Sequence, residues 1–239
     1  FVLVETSTGS THALAAGDYD ADGDLDLYVA REGPNFLLQN DGKGVFTDVT
    51  SAAGPQVGDG KFSMGAVFGD YDADGDIDLY IANYIYTDPA RPRVYPNHYG
   101  YSNRLLENDG TGKFTDVTPA KAISGFGPED AGTTLVTAMS DYDGDGDLDL
   151  FDCNDFGQTI VPNQLFENDG SGGFTEVGAA RGLDSELFCM GIAIGDFDRD
   201  LDLDYYMTSI GRHELLENRG SLFVDVAATR GGQLDKDDC

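Results

Sequence analysis

One acidic segment occurs four times in this chain: DYDADGDLDLY from Asp18, DYDADGDIDLY from Asp70, DYDGDGDLDLF from Asp141 and DFDRDLDLDYY from Asp196. The copies start 52, 71 and 55 residues apart, a period that marks a repeat architecture. Each places Asp at positions 1, 3, 5, 7 and 9, and the first three have Gly at position 6. Carboxylates this close repel one another, so the segment folds tightly only around a polycation. An all-oxygen donor set points to calcium. Side chains from positions 1, 3, 5 and 9 can converge on one ion, position 7 can offer its carbonyl, and Gly at position 6 allows the sharp turn. The candidate metal residues are therefore Asp18, Asp20, Asp22, Asp24 and Asp26; Asp70, Asp72, Asp74, Asp76 and Asp78; Asp141, Asp143, Asp145, Asp147 and Asp149; and Asp196, Asp198, Asp200, Asp202 and Asp204.

An EF-hand begins with the same D-x-D-x-D-G but needs Glu at position 12 and flanking helices. Here position 12 is Val29, Ile81, Asp152 or Met207, and a strand-like run follows each loop, so that reading fails. A merely solvated acidic face does not explain strict alternation repeated four times between apolar runs. The fourth loop has Leu201 in place of Gly, which predicts a strained backbone and a weaker fourth site.

The 44 Asp and Glu against 14 Lys and Arg give a formal charge of −30, which excludes nucleic acid and anionic membrane as partners. The sequence contains no apolar run long enough for a transmembrane helix and no signal peptide. A start at Phe1 without Met predicts a processed or excised product. Calcium sites of modest affinity fill where the ion is near millimolar, which predicts an extracellular or cell-surface location. Of the three cysteines, Cys153 and Cys189 could pair in an oxidising compartment, leaving Cys239 over, or both could stay as buried thiols.

Each repeat reads as an apolar strand, the acidic loop, a second strand, a variable loop, a third strand, an Asn-Asp-Gly-type turn and a fourth strand. The turns are Asn40-Asp41-Gly42, Asn108-Asp109-Gly110, Asn168-Asp169-Gly170 and Asn218-Arg219-Gly220. The expected fold is thus an all-β propeller of four-stranded antiparallel blades, one domain over 1–239. Its blades fall at about 13–50, 65–118, 133–177 and 190–227, with an extra N-terminal strand at 1–6 and a tail at 228–239. Phe1-Val2-Leu3-Val4 aligns with the openings of the fourth strands, so it reads as a remnant of a preceding blade, an addition to a neighbouring copy or an internal packing strand.

The acidic loops, the Gly65-Ala66-Val67 run and the N-x-L-x-x-N-x-G-x-G-x-F-T-D-V-T pattern of Asn103 to Thr118 resemble the FG-GAP and VCBS-type repeats of integrin α-subunit propellers and secreted bacterial proteins. The resemblance covers almost the whole chain. It implies a propeller with calcium on one face, used for extracellular adhesion or recognition of protein or glycan rather than catalysis. The chain departs from it by lacking a full Phe-Gly half of the motif and by having fewer repeats than the integrin propeller.

Recognition is expected on the face opposite the acidic loops, where loop length varies. The candidate interaction residues are Tyr84, Tyr86, Arg91, Arg93, Tyr95, His98, Tyr99 and Tyr101, in a tyrosine- and arginine-rich insertion that could otherwise pack over its own blade. An enzyme is not expected: His12, His98 and His213 lie in different repeats without triad or ligand spacing, and no nucleophile or phosphate-loop motif occurs. The alternatives are a self-assembling filament or surface-layer subunit, with copies of itself as partner, and a non-catalytic part of a larger secreted enzyme.

Overall fold

Alternating apolar residues flanked by Gly, Asn and Asp turns specify short antiparallel strands, and a computed structural model shows sixteen of them in four sheets. It describes residues 9–59, 61–85, 100–123 and 132–232. Blade 1 holds β1 (Thr11–Gly17), β2 (Asp26–Arg31), β3 (Phe36–Asn40) and β4 (Phe46–Asp48), followed by α1 (Thr50–Ala53). Blade 2 holds β5 (Ser63–Gly69), β6 (Asp78–Asn83), β7 (Arg104–Asn108) and β8 (Phe114–Asp116). Blade 3 holds β9 (Thr133–Ser140), β10 (Asp149–Asp155), β11 (Gln164–Asn168) and β12 (Phe174–Glu176), then α2 (Gly178–Arg181). Blade 4 holds β13 (Cys189–Gly195), β14 (Asp204–Ser209), β15 (Glu214–Asn218) and β16 (Phe223–Asp225), then α3 (Ala227–Arg230). Strands pair in sequence order within every sheet, and all pairings are antiparallel.

The fourth strands are shorter than the sequence predicts. Thr50 was expected at the end of a strand but opens α1, its hydroxyl serving the Leu37 N–H at 2.9 Å. The extra strand expected at residues 1–6 and the tail beyond 232 lie outside the described residues.

The first strands pack on one another in the order β1, β5, β9, β13, so the blades fan around a common axis as propeller blades do. Three apolar cores fill the spaces between blades, centred on Leu79 and Leu106 between blades 1 and 2, Leu150 and Phe166 between 2 and 3, and Phe151 and Tyr205 between 3 and 4. A second strand with a blade on either side has no solvent face, and β6 and β10 are accordingly buried at every position. Cys153 of β10 and Cys189 of β13 form a disulfide that joins blade 3 to blade 4 across a separation of 36 residues.

Polar groups reinforce the same interface in one repeated way. The side-chain amide of Asn108 donates to the Tyr19 carbonyl, that of Asn168 to the Tyr71 carbonyl, and that of Asn218 to the Tyr142 carbonyl, each at 2.7 Å. The ring that follows each carbonyl rests on a phenylalanine of the next blade: Tyr19 on Phe114, Tyr71 on Phe174 and Tyr142 on Phe223.

Candidate metal centres and the opposite face

Each acidic loop joins the first and second strands of a blade, so all four lie at the same end of the sheets. The position-1 carboxylate folds the loop by accepting the N–H of position 6: Gly23 to Asp18 at 3.0 Å, Gly75 to Asp70 and Gly146 to Asp141 at 3.1 Å, and Leu201 to Asp196 at 3.2 Å. That turn needs a left-handed backbone at position 6, with φ of 97°, 98° and 102° at the three glycines and 82° at Leu201. A branched residue is strained there, as the sequence predicts.

The structure brings three carboxylates together in each loop. Ligand-capable oxygens lie within 4.8 Å of one another in Asp18, Asp20 and Asp22; in Asp70, Asp72 and Asp78; in Asp141, Asp143 and Asp149; and in Asp196, Asp198 and Asp204. Position 9 joins the group in the last three loops, whereas the first recruits position 5 in place of Asp26. In all four loops the position-5 carboxylate, of Asp22, Asp74, Asp145 or Asp200, accepts the N–H of position 7.

Several of these oxygens are buried without a hydrogen-bond partner among the described residues: Asp20 Oδ1, Asp70 Oδ1, Asp72 Oδ1, Asp141 Oδ1 and Asp198 Oδ1. A buried, unpartnered carboxylate oxygen is costly unless a cation meets it, so the residues present fit a hard divalent ion. Burial, and then the neighbouring carboxylates, push the Asp72 and Asp143 acids above the ordinary range.

The position-9 aspartates do more than face the loop. Asp26, Asp78, Asp149 and Asp204 are buried, and each accepts the position-2 N–H with one oxygen and the backbone N–H of the turn asparagine with the other, the latter at 2.8 Å throughout. Burial raises Asp26 to about 6 and Asp78 and Asp149 to about 7. Position 7 has a second use as well: Asp24, Asp76 and Asp147 reach the turn glycines Gly42, Gly110 and Gly170, where an added Cβ would lie within 2.9, 2.4 and 2.6 Å of their carboxylates.

Of the candidate interaction residues, Tyr84 and Tyr101 are described, and Tyr86, Arg91, Arg93, Tyr95, His98 and Tyr99 lie outside the described residues. Tyr84 and Tyr101 frame the base of the insertion: the Tyr101 N–H donates to the Tyr84 carbonyl at 2.8 Å, and Ile85 bridges Gly100. They join a half-buried aromatic cluster that the sequence alone did not reveal. His12 stacks on Phe62 at 4.9 Å, Phe62 meets Tyr84 at 5.7 Å, and Lys61 Nζ sits 5.6 Å over the Tyr101 ring. His12 and Phe62 stand where the first strands begin and Tyr84 where β6 ends, so the cluster lies at the end of the sheets opposite the acidic loops.

No described helix is long and apolar enough to cross a membrane. Among solved structures, an Agrocybe aegerita lectin described for specific recognition of non-reducing terminal N-acetylglucosamine superposes with a TM-score of 0.52 at 16% identity, covering 94% of this chain and 55% of that one. Among curated proteins, cartilage acidic protein 1 is 28% identical in Mus musculus and 29% in Homo sapiens, over 77% of this chain. The chain spans about a quarter of those relatives, 26% of their length. The FG-GAP-like repeat profile matches residues 6–81 and 141–207, more than half of the sequence and the region of all four acidic loops. With repeats, loops and blades in agreement, the chain belongs to the FG-GAP-like repeat family.

Proposed function

We propose that this chain is a calcium-stabilised, non-catalytic recognition module that works outside the cell and binds a glycan or protein on the face opposite its acidic loops. The observation that carries the reading is the segregation of two chemistries to opposite ends of the blades: unpartnered carboxylate oxygens at one end, an aromatic and cationic cluster at the other. Calcium would be held by the position-1 and position-3 aspartates of each loop, with Asp22, Asp78, Asp149 and Asp204 completing the sets. When bound, it supplies positive charge that offsets the repulsion in a chain of formal charge −30. The loop residues do the rest, since position 2 is the residue whose carbonyl and ring the next blade grips. Metal binding thereby stiffens the interfaces between blades.

At the other end, Phe62, Tyr84 and Tyr101 offer aromatic faces and Lys61 an ammonium over the Tyr101 ring, an assortment that suits the apolar faces and hydroxyls of a sugar or a polar protein edge. The Agrocybe aegerita lectin of similar fold is described for recognition of non-reducing terminal N-acetylglucosamine, which supports a glycan as the ligand. A buried disulfide and a need for abundant calcium both favour an extracellular setting.

The test is a screen of the calcium-loaded chain on glycan and extracellular-protein arrays, followed by titration with each hit. Tyr101→Ala and Lys61→Ala should weaken binding at least tenfold while leaving the melting temperature within a few degrees. Binding unchanged by both substitutions would place the recognition surface elsewhere.

A further inference from the structure

The four acidic loops share one sequence plan but do not satisfy their own carboxylates equally. In the loop of blade 1 backbone meets both oxygens of the position-1 aspartate: Asp18 accepts the Asp22 N–H with Oδ1 and the Gly23 N–H with Oδ2, each at 3.0 Å. In the loop of blade 4, Asp196 accepts the Arg199 and Asp200 N–H groups with Oδ1 and the Leu201 N–H with Oδ2. In the loops of blades 2 and 3 the position-1 carboxylate takes the position-6 N–H alone, and Asp70 Oδ1 and Asp141 Oδ1 are buried with no hydrogen-bond partner among the described residues.

The position-3 aspartates divide in the same way, and here the difference comes from outside the loop. Beside them stands the fourth residue of the third strand, Gln39 in blade 1 and Glu107, Glu167 and Glu217 in the others. Gln39 donates from Nε2 to Asp20 Oδ2 at 2.5 Å. An ionised glutamate has no proton to give in that way. Glu107 instead accepts the Tyr71 hydroxyl at 2.7 Å, and Glu167 accepts the Tyr142 hydroxyl and Arg181 Nη2. No side chain donates to Asp72 or Asp143 among the described residues.

Blade 4 supplies a cation of its own. Arg230 pairs with Glu217 at 2.9 Å, and the same guanidinium stands 3.8 Å from Asp198. A buried carboxylate without donors is stable only where a cation meets it. The loops of blades 2 and 3 lack both substitutes at position 1 and at position 3, whereas blade 1 places an amide on Asp20 and blade 4 a guanidinium beside Asp198. Asp20 and Asp198 each keep one bare oxygen, Oδ1, so these two loops still accept an ion.

We propose that the four loops are of two kinds: those of blades 2 and 3 fold on calcium, and those of blades 1 and 4 close without it, with Gln39 and Arg230 as the positioning residues that make the difference. The inference rests on the reading of the loops as calcium sites and adds which of them tie the ion to stability. Tyr71 and Tyr142, at position 2 of the ion-dependent loops, carry the carbonyls and rings that blades 3 and 4 grip. Withdrawal of calcium therefore loosens the interfaces 2–3 and 3–4 and spares interface 1–2, which hangs on Tyr19.

The test is hydrogen exchange at the position-6 amides of the full chain, read in saturating calcium and then through a graded series of chelator. Protection at Gly75 and Gly146 should fall roughly tenfold or more as calcium is withdrawn, and that at Gly23 and Leu201 by less than about threefold. Gln39→Glu replaces the donor on Asp20 with a like charge and should make Gly23 respond as Gly75 does. Arg230→Gln should do the same at Leu201, and Glu167→Gln the reverse at Gly146. Loss of protection at all four amides together, or responses at Gly23 and Leu201 that these substitutions leave unchanged, would overturn the proposal while leaving calcium binding intact. If calcium alters none of the four amides, the metal reading of the loops fails and the proposal fails with it. The comparison of the four amides within the wild type needs no variant, so it decides the matter even where a substitution prevents folding.

Discussion

The side-chain amide of Asn108 donates to the backbone carbonyl of Tyr19 at 2.7 Å, a bond between residues 89 apart that crosses from blade 2 to blade 1. The same amide also serves the Ile77 carbonyl at 3.1 Å. Replacing it with Ala strands two carbonyls in a buried setting, so Asn108→Ala should lower stability by roughly 2 to 3 kcal/mol in denaturant titrations. Asn40→Ala loses no bond across an interface among the described residues and should cost no more than about 1 kcal/mol.

Calcium removal should lower the melting temperature markedly, because the ion stabilises only the folded loops. An unchanged melting curve in excess chelator would contradict the role assigned to the loops. Among single substitutions, Asp72→Ala should reduce calcium-dependent stabilisation more than Asp198→Ala, since the fourth loop holds Leu201 at φ of 82° where the other three have Gly.

Leu201 is 90% exposed and gains little from packing, while its backbone pays for a left-handed turn. Leu201→Gly should therefore raise stability by about 1 kcal/mol and tighten the weakest calcium site. Calorimetric titration of the two proteins checks both effects.

Asp152 is buried between blades 2 and 3, where Tyr80 donates to it at 2.9 Å, Asn103 at 2.7 Å and Thr137 at 3.2 Å. Burial raises its acid to about 6 against an ordinary value of 3.8. The folded chain thus holds this proton more tightly than the unfolded chain does, and the contribution to stability is full below pH 4 and lost as pH rises to 6. Asp152→Asn removes that dependence. The stability difference between wild type and variant should change by about 3 kcal/mol across that interval and then level off. A difference that stays flat from pH 4 to 7 would show that Asp152 does not titrate there.

Replacing both Cys153 and Cys189 with Ala should cost about 3 to 4 kcal/mol, the loop-closure value for their separation. Both are fully buried, so a mild reductant should leave the folded chain oxidised and act only once denaturant opens it. Thiol labelling at increasing denaturant distinguishes the two regimes.

The blades were legible because strand, acidic loop, strand and turn follow one another locally, and each has its own residue signature. Gly23, Gly75 and Gly146 marked the sharp turns, and Leu201 marked the strained one. The uses of Asp26 and its counterparts as latches on the turn asparagines were not legible, because the sequence shows only that these residues are acidic and not that a strand end 14 to 30 residues later needs an acceptor. The aromatic cluster was hidden for a similar reason: His12, Phe62 and Tyr84 belong to different strands, and only the fanning of the blades brings them together. Asp152 entered the sequence reading only as the residue at position 12 of the third loop, and the fold makes it the centre of a polar knot between two blades.

The bond between Cys153 and Cys189 also fixes how the chain yields to force. Interfaces 1–2 and 2–3 are held by non-covalent contacts alone among the described residues, whereas blades 3 and 4 share a covalent link. Pulling on the two ends can straighten blades 1 and 2 completely, but the 36 residues spanned by the disulfide cannot contribute their length, roughly 120 Å of extended chain. Under tension blades 1 and 2 can be drawn out from one side and β14 to β16 from the other, while the segment between the two cysteines stays closed as a covalent loop.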